Sequence, residues 1–133
     1  MTQTIIDAFS QGIFAITLLS YDLEVSRDFY QNKLDLKEIY KDEVSSVYKA
    51  GSTMINLLAA TQADELLGPA TLSPQNIGTN AVYTLKCPDV NTAVEELKSK
   101  GVEMLNGPVD RPWGIRTASF QDPSGHTWEL ANH

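Results

Sequence analysis

One cysteine, two histidines and no long hydrophobic run mark this 133-residue chain, and each scarcity removes a class of protein. A lone Cys87 cannot close an internal disulfide, so a small disulfide-stapled fold is excluded; it reads as a small apolar residue on a strand. No stretch of 18 or more apolar residues supports a membrane span. The start, Met1-Thr2-Gln3-Thr4-Ile5-Ile6-Asp7, lacks the basic and then apolar order of a signal peptide. Basic residues are also few. A net charge of −7 disfavours nucleic acid and anionic membranes, which both present phosphates, and serves solubility first, though it also suits a cationic ligand. These features together suggest a cytoplasmic protein. Apolar residues make up 42% of the chain, enough for a packed core and too many for disorder.

The chain contains two similar halves. Residues 12–20 form a mostly apolar, strand-like run, and Asp22 follows as an N-cap whose carboxylate can accept from the first free amides of a helix. Ser26, Phe29, Tyr30 and Leu34 then recur at the spacing of one helical face. Short strands are expected near Lys37–Tyr40, Ser45–Ala50 and Thr53–Leu58, with a turn at Gly51-Ser52. The order recurs after a connection. Residues 80–87 form a strand, Asp89 caps a helix with Val90, Ala93, Val94 and Leu97 on one face, and Gly101 ends it. Val102–Leu105 reads as a strand, residues 106–114 as a long loop, and Ile115–Gln121 with His126–Ala131 as a hairpin. Asp122-Pro123-Ser124-Gly125 suits a type I turn. We read one domain over 1–133, with modules at about 12–58 and 79–132. The connection at about 59–78 holds two prolines and two glycines, with a helical turn near Gln62–Leu67.

Two motifs are the most specific: Asp22-x-x-x-Ser26-x-x-Phe29-Tyr30 and Asp122-Pro123-x-Gly125-x-x-x-Glu129-Leu130. With the duplicated strand–helix–three-strand order, they make the chain resemble the vicinal oxygen chelate superfamily, the glyoxalase, bleomycin-resistance and dioxygenase group. The resemblance spans about residues 12–132. It implies an α+β fold in which two βαβββ modules form a curved mixed sheet, a partial barrel, around a cleft with the helices outside. It also implies a homodimer, with modules paired within or between chains.

Metal-bearing members of that group use four side chains, two per module. Carried onto this sequence, those positions are Ala15, Asn56, Val82 and Glu129. Alanine and valine have no donor atom, and an amide is a weak ligand for a transition metal, so no metal and no cofactor are expected. His126 reads as a solvated turn residue. What remains is an apolar cleft holding one amide and one carboxylate, the character of a binding pocket. Trp113, in Arg111-Pro112-Trp113-Gly114, is placed to stack on a planar or cationic ligand at the cleft mouth. Arg116 is expected to pair with Glu129 across the hairpin or to meet the ligand, and Tyr48 is a further candidate. Trp128, Phe29 and Tyr30 read as core. The expected function is metal-free binding of a small aromatic or cationic molecule, as in antibiotic resistance. The alternative is an enzyme of the same superfamily acting through a metal or through Glu129.

Overall fold

The structure is a computed structural model that describes residues 4–75 and 78–133. Residues 76 and 77, at the end of the connection between the halves, and residues 1–3 lie outside the described residues.

A short helix, α1 (Thr4–Ser10), precedes the first module. Strand β1 (Ala15–Ser20) then leads to Asp22, whose carboxylate accepts from the Val25 amide at 3.3 Å and starts α2 (Leu23–Asp28). That helix continues as a wider π-helical turn, Phe29–Lys33, and buries Ser26, Phe29 and Tyr30 on one side. Strands β2 (Glu38–Lys41), β3 (Ser45–Ala50) and β4 (Thr53–Ala59) complete the module, and α3 (Ala63–Leu67) follows. The second module repeats the order with β5 (Val82–Lys86), α4 (Val90–Ser99), β6 (Met104–Asp110), β7 (Arg116–Gln121) and β8 (Thr127–Ala131). Asp89 caps α4, accepting from the Thr92 amide at 3.0 Å, and Val90, Val94 and Leu97 form its buried stripe. Strand β6 runs five residues past the expected Leu105, through Gly107, with register shifts that take up the irregular sequence. Gly107 has φ +91°, and a Cβ there would lie 2.5 Å from the Thr117 carbonyl oxygen, so the two strands approach as closely as they do only because this residue is glycine.

The sheets are two, each of four strands, with orders β1-β4-β3-β2 and β5-β8-β7-β6. In each, the first and last strands of the module run parallel and the others antiparallel. The single curved sheet expected from the sequence is therefore not closed within one chain. The reason lies in the core. Side chains from the helix-covered faces of both sheets, Leu18, Ile55 and Leu57 from one and Phe120, Trp128 and Leu130 from the other, meet in one cluster with Phe29, Tyr30 and Val94 from the helices. Phe29 lies 6.2 Å from Phe120, and Tyr30 lies 6.4 Å from Trp128, between ring centroids. The modules thus pack through their helix-covered sides, and the bare faces of the sheets are turned outward. Among the described residues no helix is long and apolar enough to cross a membrane.

Candidate functional site

On the bare face of the first sheet, strand pairing sets a row across β1, β4, β3 and β2: Thr17, Asn56, Val47 and Tyr40. Beside it stand Ala15, Met54 and Lys49. Asn56 is half-buried, and its amide nitrogen donates weakly to Thr17 Oγ1 at 3.4 Å. The second sheet carries the corresponding row, Thr84, Glu129, Ser119 and Asn106, with Val82 beside it. Glu129 is half-buried and accepts from Thr84 Oγ1 at 3.0 Å, so its carboxylate is oriented by a neighbouring strand and keeps its other oxygen available. Ala15 and Asn56 are diagonal neighbours on adjacent strands, and so are Val82 and Glu129. Diagonal side chains of this kind start about 7–8 Å apart and can converge on one ligand.

Both pairs face solvent. Ala15 is exposed, and Val82 keeps 54% of its surface. The two pairs lie on separate sheets whose opposite faces share the core, so within one chain they do not converge on one cleft.

Trp113 is 67% exposed, at the tip of a tight turn. Gly114 makes that turn possible with φ +89°, its amide donating to the Arg111 carbonyl at 3.0 Å, and the Arg111 amide donates to the Ile115 carbonyl at 2.8 Å. The same turn lays Arg111 over the bare face of the second sheet. Its Nε donates to Thr117 Oγ1 at 2.9 Å and an Nη to Asn106 Oδ1 at 3.4 Å, and Thr117 shares the face that carries Glu129. Sequence reasoning named the loop but not this guanidinium. Its signal was present, since a strand's alternation places Thr117 with Ser119 on one side.

Three expectations are corrected. Arg116 does not meet Glu129. It alternates to the other side of β7, where it holds Asp110 through two hydrogen bonds, of 2.8 and 3.1 Å, and reaches Asn91 at the start of α4 at 3.2 Å. The guanidinium holds the Asp110 carboxyl below its ordinary range by hydrogen bonding and by charge, and Asp110 raises Arg116 in turn. Tyr48 is fully buried on the helix-covered face, stacked 5.9 Å from Tyr30, and burial pushes its hydroxyl up. It offers nothing to the bare face. His126 is half-buried, and its Nε2 donates to the Leu19 carbonyl at 2.8 Å, tying the Asp122 turn to the end of β1. Trp128, Phe29 and Tyr30 are core residues, as read from the sequence.

The donor set does not fit a transition metal. Ala15 and Val82 have no donor atoms, Asn56 and Glu129 supply one weak and one good oxygen, and the described residues contain no grouping of three His, Cys, Asp or Glu side chains around a common point.

The fold is a duplicated βαβββ architecture with one bare sheet face on each module. The sequence pattern of the Glyoxalase/Bleomycin resistance protein/Dioxygenase superfamily matches residues 12–130, and the chain belongs to that superfamily. Similar solved structures include a glyoxalase/bleomycin resistance protein/dioxygenase from Nocardioides, 25% identical, covering 98% of this chain and 93% of that one with a TM-score of 0.78. A glyoxalase-related enzyme from Fulvimarina pelagi is 23% identical over 92% of this chain and 88% of its own, with a TM-score of 0.80. A lactoylglutathione lyase from Agrobacterium tumefaciens is 16% identical over 91% and 92%, with a TM-score of 0.73. These last two likenesses concern the fold.

Proposed function

We propose that this protein is a metal-free binding protein for a small aromatic or cationic molecule, and that a homodimer builds its cleft. The observation that carries the reading is the outward turn of both half-sites. Strands β1 and β5 stand at sheet edges, each with no strand on its outer side among the described residues, and an unpaired edge is a template for another chain. A second copy that sets its β5 against this β1 joins two four-stranded sheets into one concave surface. Ala15 and Asn56 then face Val82 and Glu129 of the other copy across a cleft, twice per two-fold dimer. The N-terminal segment supports this arrangement, because Ile5, Ile6, Phe9, Ile13 and Phe14, which precede β1 in the chain, are all exposed in the single chain.

The cleft so formed has apolar walls from Ala15, Met54 and Val82. Its polar groups include Asn56, the Glu129 carboxylate and Arg111, with the hydroxyls of Thr17, Thr84 and Ser119, the Asn106 amide and Lys49 on the same faces. Trp113 supplies a flat, exposed ring for stacking. A carboxylate and an indole together favour a planar cation. The test pairs two measurements. Sedimentation should give twice the chain mass at micromolar concentration. Titration with planar aromatic cations, proflavine among them, should quench tryptophan emission saturably in the parent and not in Trp113→Phe. A monomer at all concentrations, or quenching unchanged by Glu129→Gln, overturns the reading.

A further inference from the structure

On the helix-covered side of the sheets, where the two modules meet, there is a cavity of about 200 Å³ that takes no part in the proposed cleft. Ile55 from the first sheet and Phe120, Trp128 and Leu130 from the second form its floor, and Leu34 and Ala93 stand in its walls. The polar atoms of its aromatic rings are already engaged. Trp128 Nε1 donates to the Tyr30 hydroxyl at 3.0 Å, and that hydroxyl donates to Asp122 at 2.7 Å. The interior therefore offers apolar surface and no free hydrogen-bonding group from these rings. A dry cavity of roughly 150 Å³ with aliphatic and aromatic walls holds a benzene ring, so this volume suits one ring with a short substituent.

Four charged residues line the same cavity: Lys33, Asp35, Glu96 and Lys100. Asp35 and Glu96 are largely exposed, which places this group at the mouth. Three of the four are mutually satisfied, since Lys100 pairs with Asp35 and stands 4.0 Å from Glu96. Lys33 is different. Among the described residues it forms no ion pair, and its ammonium stands beside Gly101, where a Cβ would be 3.6 Å from Nζ. Lys33 borders both this chamber and the neighbouring hollow lined by Gly101, and as the lining charge without an ion pair among the described residues it favours a ligand with an apolar body and one negative end.

We propose that this cavity is a second ligand site, separate from the cleft, for a single-ring aryl carboxylic acid: the ring lies against Phe120 and Trp128 and the carboxylate meets Lys33. The site is complete in one chain and does not depend on dimer formation.

The probe is 3-phenylpropionate, with propylbenzene as its neutral counterpart. The experiment uses the full chain carrying Trp113→Phe, which leaves Trp128 as the only indole and removes the reporter of the cleft. Trp128 emission should shift saturably with either compound. Lys33→Met should weaken 3-phenylpropionate at least tenfold and leave propylbenzene unchanged. Ala93→Leu should abolish both responses while circular dichroism and thermal melting stay close to the parent's. If that variant melts early, shifts of the Ala93 methyl resonance on titrating the parent chain replace it. A flat response to both compounds overturns the site, and equal binding of 3-phenylpropionate to Lys33→Met overturns the carboxylate assignment. Neither result bears on the cleft, which is read through Trp113.

Discussion

The Tyr30 hydroxyl donates to Asp122 Oδ2 at 2.7 Å, joining residues 92 positions apart, one in the helix of the first module and one in the last turn of the second. Both are buried. The other carboxylate oxygen accepts from the backbone amides of Ser124 and His126, each at 2.9 Å, and Trp128 Nε1 donates to the Tyr30 oxygen at 3.0 Å. The two most specific sequence motifs thus meet in one hydrogen-bonded cluster that locks the modules together. Tyr30→Phe keeps the ring but leaves Asp122 Oδ2 and Trp128 Nε1 each without this partner. The expected loss is about 2 kcal/mol, the range for unsatisfied buried polar groups. Urea denaturation measures it, and a loss under about 0.5 kcal/mol would show that the cluster contributes little.

The same cluster sets a response to alkali. Burial first, and then the Asp122 charge, push the Tyr30 hydroxyl well above its ordinary 10.0. A group whose folded-state value is raised contributes stability that is fully present below the unfolded value and falls away as pH rises above it. The parent should therefore lose stability faster than Tyr30→Phe from about pH 10 upward. Parallel slopes for the two proteins in thermal melts from pH 9 to 11 would separate alkaline unfolding from this residue.

At the acid end the caps respond in the opposite sense. The Thr92 amide and hydroxyl hold the Asp89 carboxyl below its ordinary 3.8. Its contribution is present above that value and is lost as pH falls through the lower folded-state one. Asp89→Asn retains an amide-accepting oxygen but no titratable proton, so its helicity should depend less on pH than the parent's below about pH 4. Far-ultraviolet circular dichroism reads this directly.

Gly107 offers a test of strand geometry. An alanine there combines a left-handed φ of +91° with a Cβ 2.5 Å from Thr117 O and 2.6 Å from Ala118 Cα, and both obstacles are backbone. Gly107→Ala should cost about 1–3 kcal/mol and loosen the β6–β7 pair. Faster amide exchange at Thr117 and Ser119 is the expected signature, and unchanged protection there would refute the close approach.

Local signals carried most of the module order. Asp22 and Asp89 both cap as their spacing suggests, and the helical stripes bury the residues that period 3.6 selects. Sheet faces were harder to read. In β3, Ser46, Tyr48 and Ala50 alternate with Val47 and Lys49, so both sides mix polar and apolar residues and parity gives no sign of which is covered. Tyr48 was therefore open to either face, and packing against Tyr30 decides it. Arg116 was expected to meet Glu129 across the hairpin, whereas alternation and Asp110 take it to the other side. The bare-face positions Ala15, Asn56, Val82 and Glu129 could be assigned by resemblance, but no short-range pattern says whether one chain brings them together. That depends on which sides of the modules pack, and the partners of that contact are far apart in sequence, as Phe29 and Phe120 are.

The proposed division of the cleft between two copies yields its sharpest prediction through metal chemistry that the natural residues do not support. Ala15→His and Asn56→Glu place an imidazole and a carboxylate on one diagonal pair, and Val82→His adds an imidazole beside the native Glu129 on the other. A tetrahedral zinc site needs four such ligands, or three and a water. In one chain each sheet supplies only two. If β1 of one copy lies against β5 of the other, the triple variant should hold close to one zinc per chain, bind it tightly as a dimer, and release it on dilution to monomer. Ala15→His with Asn56→Glu alone leaves three donors in the dimer, the two new ones and Glu129, and should bind zinc less tightly than the triple variant. Mass spectrometry of the metal content, with sedimentation at the same concentrations, reads both effects. A zinc-poor dimer of the triple variant would show that the two half-sites do not face each other, and the proposed cleft would fall with it.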